Sequence, residues 1–281
     1  MAVTSPQATE REFVFTQKDF ERVRKELYAH AGITLSDHKK DMTYNRLVRR
    51  LRELGLNSFD EYFAYLTQHD DEFGMFINAL TTNLTSFFRE NHHFEYLQRE
   101  IIASSEVAAS RRLRIWSAGC SMGEEPYSIA ISCMSAPVET QHWDIQILAT
   151  DIDTKVLQTG ANGIYGIERI ESIPAQLKRR FFRRGKGAQE GNVKVAPELQ
   201  QLITFKQLNL MEALPFKGPL DVIFCRNVMI YFDKETQQML LDKFAEVLKP
   251  GGILFVGHSE SPFRLTDRFK LIGQTVYRKV Y

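Results

Sequence analysis

The sequence predicts an α/β protein: a Rossmann-like, mostly parallel sheet, preceded by a small helical domain and interrupted by a short antiparallel β-insertion. Three observations carry this. The first 75 or so residues show helical spacing and cap signals but no strand-like run. From residue 110 short apolar runs alternate with helical stretches, the pattern of strands buried on both faces and joined by crossover helices. The stretch FFRRGKGAQEGNVKVAPELQQLITFKQL then breaks that alternation with three glycines.

The elements follow in order. Residues 1–14 are polar and are expected to be disordered. Thr16 opens a T-x-x-D box with Asp19, Phe20, Val23 and Leu27 fall at helical spacing, and Gly32 ends the helix. A second helix is expected from about Asp37 to Leu54, with Gly55 at its end. A third begins at Ser58, with Glu61 completing a capping box, and is expected to bury Tyr62, Tyr65 and Leu66. In the second half LRIWSAG precedes EPYSIAISCM, IQILATDID precedes TKVLQTGA, and LDVIFCRN precedes KETQQMLLDKFAEVLK. GGILFVGHSE follows, and LIGQTVYRKVY reads as a further, antiparallel edge strand. Within 164–206, NVKV and LITFKQ are expected to form a small hairpin. The domains expected are therefore 15–80, helical; 81–95, a linker; and 96–281, the α/β domain, with 164–206 inserted in it.

Composition narrows the class. With 281 residues, 43% hydrophobic and 25% charged, the chain is an ordinary globular one, and a net charge of +1 gives no global pull toward nucleic acid or membrane. Cys120, Cys133 and Cys225 form no C-x-x-C pair, so neither a disulfide framework nor a zinc cluster is indicated. The opening MAVTSPQATEREF lacks the apolar core of a signal peptide, and no apolar run nears the ~20 residues that span a bilayer. A cytoplasmic, soluble protein is expected.

The loop SAGCSMGEEPYS, residues 117–128, lies between a strand and a helix, where cofactors are commonly cradled. It has only Gly119 and Gly123, not G-x-G-x-x-G, and no Gly-Lys-Ser/Thr ending. Glu124 and Glu125 would repel a phosphate. A cationic, hydroxyl-rich cofactor fits better, and S-adenosylmethionine carries a sulfonium, an amino group and ribose hydroxyls. Asp151 ends the next strand and is placed to accept ribose hydroxyls. Arg226 and Asn227 follow a third strand, and FKQLNL leaves Asn209 and Leu210 to face an adenine. Any one of these acids could instead cap a helix, and Glu124 suits a first helical turn, where the dipole favours a carboxylate. NLTSFFRE, residues 83–90, crosses from one domain to the next; Phe87 and Phe88 suit a core and Arg89 could pair with Glu90, yet Asn83, Thr85 and Arg89 are also placed to close over a ligand.

Together, NLTSFFRE, WSAGCSMGEEPYSIA, ATDID and FCRNVMIYF strongly resemble the chemoreceptor protein-glutamate O-methyltransferases, the CheR family, over nearly the whole chain. The resemblance implies a class I S-adenosylmethionine-dependent methyltransferase sheet joined to the N-terminal helical domain, with the linker closing over the cofactor. It implies methylation of glutamates on the cytoplasmic helices of membrane chemoreceptors, giving γ-methyl esters and S-adenosylhomocysteine. By motif, the cofactor contacts fall on Asn83, Thr85, Arg89, Glu125, Asp151, Asn209, Leu210, Arg226 and Asn227, and Arg89 and Tyr231 match positions near the transferred methyl. The chemistry suits what is missing. A glutamate with a pKa of ~4.3 is already a nucleophile at neutral pH, so no base is needed.

The second helix carries a basic flank that includes Arg46, Arg49, Arg50 and Arg52. Such runs are commonly solvated faces; given the resemblance, docking onto acidic receptor helices is expected instead of nucleic-acid binding. KRRFFRRGK, residues 178–186, opens the insertion, which in some members of the family captures a receptor C-terminal peptide by strand addition. No membrane insertion and a monomer are expected. His92 and His93 beside Glu95 suggest a metal only weakly, since adjacent helical residues point about 100° apart, and no metal site is expected. Cys120 is read as a small residue, not a nucleophile. Two alternatives are a nucleic-acid or small-molecule methyltransferase, for which an N/D-P-P-Y motif is missing, and a non-catalytic binding module.

Overall fold

The computed structural model describes residues 11–262 and 264–280. The chain divides into two compact units, with the boundary between Thr81 and Thr82.

Among the described residues the first unit holds four α-helices. α1, Gln17–Ala31, starts at the reciprocal Thr16–Asp19 capping box and ends on left-handed Gly32. A short 3-10 turn, Asp37–Lys39, leads into α2, Lys40–Leu54, which Gly55 closes in the left-handed conformation. α3, Phe59–Leu66, is capped by Ser58, whose side chain accepts from the Glu61 N–H. The Glu61 carboxylate reaches Asn57 N–H at 2.8 Å instead of the cap residue, so the expected box is not reciprocal. Tyr65 is only half-buried, and Phe63 takes the core place expected for it. α4, Asp70–Leu80, has no counterpart in the sequence reading. Its N-cap, His69, makes no side-chain cap bond and Gly74 sits in its interior, so neither start signal nor propensity announces it. Phe20, Val23, Leu27, Leu47, Leu51, Phe59 and Phe76 are buried here. Residues 1–10 of the segment expected to be disordered lie outside the described residues. Residues 11–14 are anchored: Arg11 pairs with Asp41, Glu12 with Arg52, and Phe13 N–H donates to Tyr44 Oη at 3.3 Å.

The second unit begins with α5, His92–Tyr96, continued by a π turn at Leu97–Ile102, and α6, Ser105–Ser110. Then come β1, Arg112–Ala118; α7, Glu124–Met134; β2, Asp144–Asp151; and α8, Thr154–Asn162. The insertion contributes β3, Ile164–Gly166; α9, Ala175–Phe181; β4, Phe182–Arg184; β5, Asn192–Val195; and α10, Pro197–Gln200. The chain closes with β6, Ile203–Gln207; β7, Leu220–Cys225; α11, Lys234–Val247; β8, Leu248–Val256; β9, Phe269–Gly273; and β10, Val276–Lys279.

Seven strands form the main sheet in the order β6-β2-β1-β7-β8-β10-β9. The first five are parallel, while β10 and β9 run antiparallel to their neighbours. β7 is buried at all six positions, as a central strand covered on both faces must be. Two sequence expectations need correction. LITFKQ is not part of a hairpin: β6 pairs in parallel with β2, Ile147 opposite Ile203, and edges the main sheet. The small sheet is three-stranded, β3-β5-β4, all antiparallel. The C-terminal LIGQTVYRKVY likewise spans two strands' worth of hairpin, with β10 inside and β9 at the edge. The strand order reverses between β1 and β7, so a switch point opens at the carboxyl ends of those two strands. No helix among the described residues is long and apolar enough to cross a membrane.

Candidate active site

The loop after β1 folds back onto the end of β2. The N–H groups of Gly119 and Cys120 both donate to Thr150 O, at 2.8 and 2.9 Å. Gly119 has φ +80°, and a Cβ there would stand 2.3 Å from Val228 Cγ2, so only glycine lets the β1 and β7 loops approach this closely. Ser121 N–H donates to Asp151 Oδ2 at 2.8 Å and Asp153 N–H to Oδ1 at 3.0 Å. The Asp151 carboxylate is thus fixed in orientation with a further lone pair on each oxygen. Burial pushes its carboxyl up against those donors.

The two acids of the loop separate. Glu125 Oε1 accepts from Ser117 Oγ at 2.7 Å and its Oε2 from Arg226 Nη1 at 3.2 Å. Burial raises its carboxyl, and Arg226 opposes the shift. Glu124 is the first residue of α7, as its helix-start reading requires, but it is also fully buried and ion-paired with Arg169 from the insertion. Arg169 donates as well to Thr85 O at 3.2 Å, tying the insertion to the NLTSFFRE segment.

That segment wraps the site. Asn83 Nδ2 donates to Asp153 Oδ2 at 2.9 Å, and its carbonyl accepts from Ser121 Oγ at 3.2 Å. Arg89 lies between Phe88 and Glu90, which both adopt positive φ, 54° and 55°. Such strain in bulky residues clusters where a structure must hold an unusual chain path. Arg226, itself buried, donates to Arg89 O and lies 3.6 Å from Glu90 Oε2. Arg89 Nη1 donates to Leu84 O at 3.1 Å. Glu90 is therefore not the surface partner of Arg89; its side chain is buried beneath Arg226.

The remaining strand ends complete the set. Leu208 N–H donates to Asp151 O at 3.0 Å, which brings the following Asn209 and the buried Leu210 beside the β2 end. Asn209 Oδ1 accepts from Met211 N–H at 3.0 Å. Lys243 Nζ donates to the carbonyls of Leu210, Met211 and Glu212 at 2.9, 3.0 and 2.8 Å, pinning this loop. After β7, Asn227 has φ 60°, and Tyr231 ends the 3-10 turn Met229–Tyr231, half-buried. Glu260 accepts from the N–H groups of Asn227 and Ile230. Lys243, Arg169, Glu90 and Glu260 were absent from the sequence-derived set. Each acts on backbone or on another side chain, and only GHSE, an acid soon after a strand end, offered any signal.

The donor set fits S-adenosylmethionine and not a phosphate ligand. Two carboxylates, the buried Asp151 and the half-buried Glu125, suit cationic and hydroxyl groups, and Glu90 Oε2 and Arg226 Nε are buried without a hydrogen-bond partner among the described residues. Cys120 is buried, and burial with Asp151 nearby pushes its thiol well up, so it stays protonated. His93 is wholly buried, donor or acceptor to Thr275 Oγ1 at 2.8 Å, and burial with Arg226 nearby pushes it down to about 2, which makes it a neutral core histidine.

The basic flank of α2 belongs to the first unit. Arg46 Nη1 donates to the carbonyls of Leu80 and Thr81 at 3.0 and 2.6 Å, closing the end of α4. Arg50 clamps buried Glu72 through two bonds, 3.0 and 2.6 Å. Both are engaged in the fold. Arg52 is exposed and pairs with Glu12, and Arg49 is exposed with no ion-pair partner among the described residues.

Comparison with known proteins bears on this arrangement. Residues 83–278 match the family model described as the CheR methyltransferase SAM binding domain, and residues 18–81 match that of the CheR methyltransferase all-alpha domain. Chemotaxis protein methyltransferase 2 of Pseudomonas aeruginosa is 49% identical over 274 residues, covering 97% of each chain. The chemotaxis protein methyltransferase of Escherichia coli is 48% identical, over 96% of this chain and 93% of its own. That of Salmonella typhimurium is 47% identical over the same shares.

Proposed function

The chain belongs to the CheR methyltransferase family, and on that premise we propose that the carboxyl ends of β1, β2, β6 and β7 are where it transfers a methyl group from S-adenosylmethionine to glutamates of bacterial chemotaxis receptors. The observation that carries this reading is the buried chain Ser117–Glu125–Arg226–Arg89 O, which links the cofactor loop to the segment bearing Arg89.

Asn83, Thr85, Arg89, Glu125, Asp151, Asn209, Leu210, Arg226 and Asn227 hold the cofactor. Asp151, already oriented by two backbone donors, takes the ribose hydroxyls, and the loop pinned by Lys243 takes the adenine. Bound S-adenosylmethionine supplies a methyl group on a sulfonium and departs as S-adenosylhomocysteine. Arg89 and Tyr231 orient the receptor carboxylate, which needs no proton removed at neutral pH. Rate enhancement comes from alignment and exclusion of water. Arg89→Ala and Tyr231→Phe are each expected to lower kcat by about 100-fold, the scale of lost positioning. Full turnover in both would contradict these roles.

Receptor helices dock on Arg49 and Arg52 of α2, and the edge strands β3 and β4 are available for a receptor C-terminal peptide. The protein works as a monomer in the cytoplasm. A pull-down with receptor C-terminal peptides tests the strand-addition surface; no retention would remove it.

A further inference from the structure

We propose that Glu260 is a positioning residue for the cofactor: its buried carboxylate fixes the loop after β7 so that Asn227 presents its side chain to S-adenosylmethionine. The proposal rests on the reading of Asn227 as a cofactor residue.

Glu260 is 5% exposed, after the end of β8. Its Oε2 accepts from Gly257 N–H at 2.6 Å and Asn227 N–H at 2.8 Å, and its Oε1 from Ile230 N–H at 3.2 Å. Three backbone donors from two strand ends therefore converge on one anion, which makes a nest that binds a carboxylate and not an amide. The Asn227 bond matters most, because this residue holds φ 60°, a conformation that costs free energy unless its surroundings enforce it. Gly257, bonded to the same carboxylate oxygen, packs closely against Asn227. A Cβ at Gly257 would stand 2.5 Å from Asn227 Nδ2, 2.9 Å from Asn227 N and 2.9 Å from Glu260 Oε2. Gly257 and Glu260 thus form a close-fitting backing for Asn227, and through Ile230 the same carboxylate reaches the turn that carries Tyr231.

The test is calorimetric titration of S-adenosylhomocysteine into the full chain and into E260Q, N227G and the double variant, with methyl-transfer kinetics alongside. Glycine at 227 keeps the backbone conformation and removes only the side chain. E260Q places an NH2 against backbone donors and is expected to weaken binding by about tenfold, with the KM for S-adenosylmethionine rising in step. N227G is expected to weaken binding similarly, and adding E260Q to it to cost no more than about twofold, since coupled residues are not additive. Additive losses, or E260Q within about twofold of the parent, would overturn the proposal. If N227G alone binds normally, the assignment of Asn227 itself fails, and the proposal with it. Should E260Q show no cooperative thermal transition, G257A carries the test: it keeps the carboxylate's charge, crowds both Asn227 and Glu260 Oε2, and must bring the same loss, while normal binding by G257A would refute the proposal.

Discussion

Asp151 and Glu125, expected at strand and loop ends, do lie together at the carboxyl edge of the sheet, each held by hydrogen bonds. Strand-end position and the unsuitability of two acids for a phosphate pointed to both. Both carboxyls stand above their ordinary range because burial outweighs the groups that favour ionisation. A raised folded pKa means the folded, ligand-free protein holds these protons more tightly than the unfolded chain. Their contribution to stability is therefore fully present below the ordinary value of ~4 and is lost as pH rises through the raised value. Cofactor affinity runs the opposite way, because a cationic ligand favours the ionised forms. Titration of S-adenosylmethionine across the mildly acidic range should show affinity rising with pH, and Asp151→Asn should flatten part of that rise; a flat profile in the parent would contradict it. The residues that stayed illegible, Glu90, Lys243 and Glu260, act through backbone atoms brought close only by folding. Lys243, for example, meets its three carbonyls from more than thirty positions away along the chain.

At the scale of elements, local signals were reliable where a cap or a doubly buried run existed. The Thr16–Asp19 box and left-handed Gly32 and Gly55 bound α1 and α2 much as expected. Where burial is one-sided, the pattern misled. β6 is half exposed along its length, so it read as hairpin material although it pairs in parallel with β2. The join between the insertion and α7 was invisible for the same kind of reason, since Arg169 and Glu124 are 45 residues apart. Glu124 is fully buried while Arg169 is about a third exposed. Arg169→Met leaves that carboxylate unpaired in the interior and is expected to cost about 3 kcal/mol of stability. Glu124→Gln is expected to cost less, because the amide can still accept from Arg169. Chemical denaturation measures both, and an Arg169→Met protein as stable as the parent would show the pair to be dispensable.

At the scale of the whole molecule, the sequence motifs reached further than the periodicity did. Four motifs in order indicated the family, whose two models meet this chain at residues 81 and 83, where its two compact units divide. Which arginines of α2 the fold engages was not legible, because a helical wheel cannot tell an arginine bound to the end of α4 from one left in solvent. Arg49→Glu with Arg52→Glu should slow receptor methylation at low salt and matter less as salt rises, because exposed charges are screened. Arg46→Ala should instead lower the melting temperature, and equal effects of all three on stability would refute the division. The central claim, that the product is a glutamate methyl ester on a chemoreceptor, has a direct measurement. Methyl-labelled S-adenosylmethionine is incubated with the protein and receptor-containing membranes, and the labelled receptor is then exposed to mild alkali. Release of the label as volatile methanol is the expected result; label that stays on the receptor through alkali would mark N- or C-methylation and contradict the account.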